Sequence, residues 1–166
     1  MSNVVAVIVS VVALIVSSVS SRRQDRISHG ANLMTILGGA FASFRTPAFI
    51  SAQNYVYYKM GQHDVNLGYR GLPEEIRQDI LMVSHFYNDL GRMVAYEALD
   101  EDVAVPSFGG ALHQSWETLR PFIEKEREFM SAEGRVRFMV YFEDMACRVR
   151  RRYDRGEDFY RGLLKW

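Results

Sequence analysis

The fold is decided by the stretch PEEIRQDILMVSHFYNDLGRMVA, residues 73–95. Large apolar side chains recur there at spacings of four, three, four, three and four residues, at Ile76, Ile80, Val83, Tyr87, Leu90 and Val94. Side chains at these spacings share one face of an α-helix, so the stretch predicts an amphipathic helix packed against a core. The two glutamates after the proline favour a helix that begins there, because carboxylates stabilise the positive end of the helix dipole.

Helical patterns precede this stretch as well. Apolar residues recur at three and four at Ile27, Ala31, Met34, Leu37, Phe41 and Phe44. Thr46-Pro47 is typical of a helix N-cap followed by proline at the first helical position, and it predicts a second helix that ends near Met60. Three glycines within residues 61–72 then predict a loop.

Three further helices are predicted after the central stretch. The acidic turn at residues 100–102 predicts a break and a new N-terminus, followed by a short helix that ends before Pro106. Ser107 predicts the cap of a longer helix that is kinked or interrupted at Pro121. The last helix is predicted from Arg135, with Phe138, Phe142, Met145 and Val149 on one face.

No alternating run rich in Val, Ile and Thr outside the N-terminus predicts a sheet. The predicted class is therefore all-α, with one N-terminal transmembrane helix followed by a cytoplasmic bundle of about five or six helices. The predicted parts are a transmembrane anchor at 1–21, juxtamembrane amphipathic helices at 22–60, a glycine-containing loop at 61–72, a helical bundle at 73–155 and a C-terminal tail at 156–166.

The N-terminal run VVAVIVSVVALIVSSV, residues 4–19, holds no charged residue. The segment from Asn3 to Ser21 would form a helix of roughly 28 Å, which just covers a hydrocarbon core of about 30 Å. The basic residues Arg22, Arg23 and Arg26 follow the run and none precedes it, which is the reverse of the order in a cleaved signal peptide. We predict an uncleaved anchor with its arginines on the cytoplasmic side, the alternative being a buried core helix.

One face of this predicted anchor is lined by small residues. They are spaced four, three, four and four apart, at Ala6, Ser10, Ala13, Ser17 and Ser21. Because small side chains let helix backbones approach closely in lipid, the stripe predicts contact with a helix of an integral membrane partner or of a second copy. The alternative is that alanine and serine are merely common in such helices.

The sequence contains no recognisable motif for catalysis. The four histidines fall in separate segments without the spacing of a metal site, and no phosphate-binding loop, dinucleotide fingerprint or nucleophile elbow occurs. The polar steps Tyr87-Asn88-Asp89 and Glu143-Asp144 are typical of solvated faces or buried caps, and Trp116 of a structural anchor. We therefore predict no catalytic, cofactor-binding or metal residues, no small-molecule substrate and no enzyme, an enzyme of novel type being the remaining alternative.

Charge patterning bears on the expected partners. Formal net charge is zero, which argues against a nucleic-acid-binding protein, and the single cysteine, Cys147, fits a reducing compartment. The basic run at residues 148–155 predicts contact with lipid headgroups or with an acidic partner. The alternative is that its positive charge complements the negative C-terminal end of its own helix. The predicted contact residues are Arg22, Arg23, Arg26, Arg148, Arg150, Arg151, Arg152 and Trp166. The terminal Leu163-Leu164-Lys165-Trp166 is suited to the core, a partner or the membrane interface.

Residues 85–127, HFYNDLGRMVAYEALDEDVAVPSFGGALHQSWETLRPFIEKER, resemble an uncharacterised bacterial family of small proteins, a domain of unknown function. The resemblance rests on the pair Phe86-Tyr87 before Leu90-Gly91, the acidic turn at 100–102, and Trp116-Glu117 followed by Leu119-Arg120-Pro121. With the N-terminal run included, it covers most of the chain. It implies a membrane helix with a helical cytoplasmic domain and no assigned activity, while the 61–72 loop departs from the family pattern.

Together these features predict a non-catalytic accessory or structural subunit of a bacterial membrane protein complex. Its expected place is the inner membrane, as a single-pass protein with the N-terminus outside and the C-terminal domain cytoplasmic. The expected partners are integral membrane proteins or a second copy, together with the lipid bilayer. The alternative is a membrane-tethered homodimeric signalling or sensor module.

Replacing Ser10 and Ala13 together with leucine tests the small-residue stripe. The larger side chains would separate the packed helices, so the variant is expected to lose self-association or partner association in mild detergent, measured by size-exclusion chromatography with light scattering. Val12→Leu, on the opposite surface of the helix, is the control. An assembly of unchanged mass would exclude the stripe as the interface.

Overall fold

The computed structural model describes residues 33–131 and 137–155, which form five α-helices and no β-strand. Within these residues α1 covers Leu33–Phe44, α2 Pro47–Tyr58, α3 Glu74–Ala95, α4 Glu101–Ser131 and α5 Val140–Asp154. Three short 3₁₀ turns join α2 to α3, at Met60–Gln62, Val65–Leu67 and Tyr69–Gly71. The predicted all-α class is confirmed for the described residues.

The chain divides into two compact units, Met1–Gly39 and Ala40–Trp166, and the packing described below is that of the second unit. Across the described ranges, no single helix combines the length and apolar composition needed to cross a bilayer. α1 and α2 meet those criteria only when taken together, with a bend of 67° between them. The predicted anchor at 1–21, its small-residue stripe and Arg22, Arg23 and Arg26 lie outside the described residues.

Two sequence predictions hold at the starts of helices. The Thr46 hydroxyl accepts the N–H of Phe49 at 3.2 Å, so α2 begins at Pro47 with the predicted cap. α3 begins at Glu74, and its predicted core stripe is buried from Ile80 to Val94. Local caps and periodicity therefore account for both elements.

The predicted helix end before Pro106 was wrong, and so was an interruption at Pro121, because α4 is one helix that contains both prolines. Each proline removes a backbone donor and leaves the carbonyl four residues earlier without its partner. Those carbonyls belong to Asp102 and Glu117, which are exposed residues, as are the prolines themselves. Water can therefore solvate the freed groups, while the apolar face keeps one register through both positions, with Phe108, Leu112, Leu119, Phe122 and Ile123 buried.

The start of the last helix was also predicted wrongly. α5 begins at Val140 and not at Arg135, after Met139 in a left-handed conformation with φ 55°. No side chain of α5 itself caps this end. Instead Asn88 of α3 accepts the N–H groups of Tyr141 at 3.2 Å and Phe142 at 3.3 Å. The cap thus comes from a residue more than fifty positions away in sequence, and a local pattern does not contain it.

α3 and α5 approach each other closely at Gly91. A Cβ added to this glycine would lie 2.1 Å from the carbonyl oxygen of Tyr141. Just beside it, Phe142 is fully buried, with its ring 5.3 Å from that of Tyr87 and 5.1 Å from that of Trp116. This part of the core therefore lies where α3, α4 and α5 meet, and Trp116, the predicted structural anchor, packs against it.

A buried carboxylate holds the 3₁₀ segment against α4. Glu126 is 4% exposed and accepts the backbone N–H of Tyr69 at 3.1 Å and the guanidinium of Arg70 at 2.7 Å. The Tyr69 hydroxyl pairs with Ser84 of α3 at 2.9 Å. The segment predicted as a loop is therefore an ordered connection from α2 to α3 that contacts both α3 and α4.

Gly91→Ala is expected to lower the free energy of unfolding by about 2–3 kcal/mol, because overpacking against a rigid backbone carbonyl cannot be relieved by a side-chain rotation. Gly110→Ala is the control, because the nearest atom to its Cβ would be the Tyr153 hydroxyl at an ordinary 3.7 Å. Removing a helical glycine there is expected to be neutral or stabilising by up to about 1 kcal/mol. Equal urea midpoints for the two variants would contradict the close approach of α3 and α5.

Candidate functional site

The arginine run is divided between two sides of α5. Arg148 and Arg152, one turn apart, face the first turn of α4. Arg148 contacts Glu101 and Asp144, each at 2.7 Å. Arg152 contacts Glu101 at 3.1 Å and also pairs with Asp102. These two guanidinium groups thus join α5 to the start of α4 within the chain.

Glu101 is the centre of this ion-pair cluster. Burial alone would raise the pKa of its carboxyl, but hydrogen bonds from Arg148 and Arg152 outweigh burial and hold the pKa below its usual value. Because both partners belong to α5, the carboxylate stabilises the contact between the two helices.

Arg150 and Arg151 lie on the exposed side of the same helix. The Arg150 guanidinium lies 4.0 Å from the carboxylate of Asp154, and Arg151 donates to the backbone carbonyl of Cys147 at 3.3 Å. The proposal that the run meets lipid or a partner stays a prediction, and these two residues are the better placed for it. Trp166 lies outside the described residues.

A shallow pocket of about 130 Å³ opens between α4 and α5. Its lining combines an imidazole, an indole, a thiol and five charged groups, from His113, Trp116, Glu117, Arg120, Glu124, Glu143, Ala146, Cys147 and Arg150. Much of its charge is neutralised internally, since Glu124 binds Arg120 at 2.8 Å and Glu143 binds Arg127 at 2.7 Å. In residues 33–131 and 137–155, no group of three or more His, Cys, Asp or Glu side chains could hold a metal ion.

A second surface forms where α3 ends beside the start of α5. We name it the tyrosine patch, and its members are Arg92, Met93, Tyr96, Val140 and Tyr141. The side chains of Tyr96, Val140 and Met93 are 69%, 39% and 37% exposed. The Tyr96 and Tyr141 hydroxyls lie 2.9 Å apart, and the Arg92 guanidinium lies 5.4 Å from the Tyr141 ring centroid. Large apolar side chains here face solvent in a fixed arrangement.

The end of α3 holds the tyrosine patch in place. Glu97 adopts φ 58°, the left-handed conformation that commonly ends a helix. The N–H groups of Ala98 and Leu99 then both donate to the carbonyl of Met93, at 2.9 and 3.1 Å, and Leu99 is 1% exposed. The hydrogen bond with Tyr96 also raises the pKa of the Tyr141 hydroxyl. The patch is therefore preorganised by backbone and side-chain contacts.

Sequence reasoning did not identify the tyrosine patch. Met93 and Tyr96 fall outside the core stripe of the central stretch. Large side chains away from the core face were the one local signal that could have indicated an exposed apolar surface. Their partners Val140 and Tyr141 are over forty residues away in the chain, and only the α3–α5 contact brings the two groups together.

Comparison with known families gives one match. Residues 1–149 match DUF4760, a domain of unknown function. No curated protein and no solved structure matches the chain. Because the family match covers most of the sequence, the chain belongs to this family, and the prediction of an uncharacterised family is confirmed.

Glu101→Gln tests the ion-pair cluster. Since the pKa of Glu101 is lower in the folded chain, its stabilising effect is present above the unfolded value of about 4.3 and is lost as pH falls through the folded value. The variant is expected to be less stable at pH 7 by about 1 kcal/mol or less, with the difference vanishing in acid. Asp79→Asn, at an exposed carboxylate beyond the first turn of α3, is the control in the same thermal unfolding series. A difference independent of pH would contradict the cluster.

Proposed function

We propose that this member of the DUF4760 family is a non-catalytic accessory subunit of a bacterial membrane protein complex. One helix formed by residues 1–21 anchors it, and the helical domain docks on a partner protein from the cytoplasmic side through the tyrosine patch. The proposal names no catalytic residue and no cofactor.

The anchor is supported by the sequence of its first 26 residues. An uncharged run of nearly twenty residues is close to the length of a hydrocarbon core, and three arginines follow it directly. Arginines near the end of a span favour the cytoplasmic side. The small-residue face of the run supports packing against neighbouring transmembrane helices.

The docking role is carried by one observation, the exposure of Tyr96 where its hydroxyl pairs with that of Tyr141. Tyrosine, arginine and methionine are enriched at the centres of protein interfaces, where a few large side chains account for most of the binding energy. The hydroxyl pair between Tyr96 and Tyr141 fixes both rings before a partner arrives. Preorganisation of this kind lowers the entropy cost of association.

Purification of the full-length chain from its native membranes in mild detergent tests the proposal. The chain is expected to co-purify with other membrane proteins, whereas Tyr96→Ala should lose them, with a roughly 30-fold weaker affinity for a truncated hot spot of about 2 kcal/mol. Leu67→Ala is the control, because Leu67 is 52% exposed in the 3₁₀ turn Val65–Leu67, outside the tyrosine patch.

Three results would contradict the proposed function as stated. A chain that migrates as a lone monomer with no co-purifying protein would exclude an accessory subunit. A dimer of this chain alone would favour the membrane-tethered homodimeric module instead. Retention of the same partners by Tyr96→Ala would remove the tyrosine patch as the docking surface.

A further inference from the structure

The exposed side of α2 carries no charged residue. Its six exposed positions are Pro47, Ala48, Ile50, Ser51, Asn54 and Tyr58, which we name the neutral face. α3 is different, since five of its nine exposed positions are charged, at Glu74, Glu75, Asp79, Asp89 and Arg92. Helices that face water on one side normally place charged or strongly polar residues there, whereas four of the six neutral-face residues are apolar or aromatic. The neutral face therefore needs an explanation other than exposure to bulk water.

The region beside α2 is neutral as well. Residues 103–116 of α4 contain no Asp, Glu, Lys or Arg. This part of α4 packs against α2, because the Tyr57 hydroxyl donates to the carbonyl of Ala111 at 3.2 Å. Phe44, just before α2, also packs its ring edge-on against Phe108 of α4 at 5.5 Å. Two adjacent helices thus share an uncharged region of the domain.

From these observations we propose that α2 lies flat on the cytoplasmic surface of the bilayer, with its neutral face in the interfacial region. This placement rests on the anchor proposed above. Ile50 and Tyr58 are 46% and 76% exposed, and a tyrosine ring with its polar hydroxyl is favoured at the membrane interface. A face without ionised groups loses no charge hydration when it enters that region.

The short chain between the proposed anchor and α1 favours the bilayer as the surface that contacts the neutral face. Only residues 22–32 separate the proposed anchor from α1, and even fully extended they reach no further than about 40 Å. α1 and α2 are therefore the first described helices after the proposed anchor, and α1 begins within that distance of its end. Arg45, between them, is the only charged residue from Leu33 to Tyr58, and its positive charge suits anionic headgroups.

α2 lies on the membrane and does not cross it. Its inner side is fixed in the protein core, with Phe49 at 2% and Ala52 and Val56 at 0% exposure. α1 and α2 together satisfy the composition of a bent span, but crossing would pull these buried side chains out of the domain. A helix with one side in the core and a neutral outer side is suited to an interfacial position.

Fluorescence quenching on the full-length chain in phosphatidylcholine–phosphatidylglycerol vesicles tests this placement. The background is Cys147→Ser, which removes the single cysteine. A bimane label is then attached at Ile50→Cys or Ser51→Cys, the second variant guarding against a folding defect in the first. The quencher is phosphatidylcholine with a doxyl group near the headgroup. Gln78→Cys, at an exposed position of α3, is the matched control.

The labels on α2 are expected to be quenched several-fold more strongly than the label at residue 78, with emission shifted to the blue. Equal quenching at all three positions in protein that floats with the vesicles would overturn the placement while leaving the anchor intact. A blue shift at residue 50 without quenching would overturn it in favour of a second copy covering the face. Protein that fails to float would overturn the anchor, and the placement with it.

Discussion

Gly91 lies where the backbones of α3 and α5 come too close for any side chain between them, and the arrangement of the domain depends on that contact. The carbonyl of Tyr141 occupies the space of the missing Cβ. Asn88, one turn earlier, supplies the cap that α5 lacks, and Phe142 then enters the core between Tyr87 and Trp116. The tyrosine patch follows from the same contact, because the Tyr96–Tyr141 pair exists only where α5 begins beside the end of α3.

Local sequence patterns were sufficient to predict α3 and the start of α2. The period of the central stretch located α3, and Thr46-Pro47 located the start of α2. The rule that a proline ends a helix failed for α4. Burial of the apolar face on both sides of Pro121 outweighs the loss of one backbone hydrogen bond, and the carbonyl left without a partner can be solvated by water. Local rules also failed for α5, whose cap is supplied by a distant residue. Both failures are cases in which tertiary packing overrides local preference.

The candidate surfaces were less predictable than the helices. Arg148 and Arg152 are one helical turn apart, so the sequence predicts that they share a face of the helix. Their acidic partner at the start of α4 could not be predicted from local sequence. The tyrosine patch joins residues from distant parts of the chain. The neutral face could be identified only after burial separated the inner from the outer residues of α2. In the proposed account, the neutral face contacts lipid and the tyrosine patch binds a partner protein.

Alkaline carbonate extraction of native membranes containing the full-length chain tests the proposed attachment most directly, because it strips proteins held only by surface contacts. The account predicts that the chain stays in the membrane pellet. It also predicts that Leu14→Arg, which places a charge costing about 3 kcal/mol at the centre of the run, moves the chain towards the supernatant. Complete release of the unaltered chain into the supernatant would contradict a transmembrane anchor and the accessory-subunit function built on it.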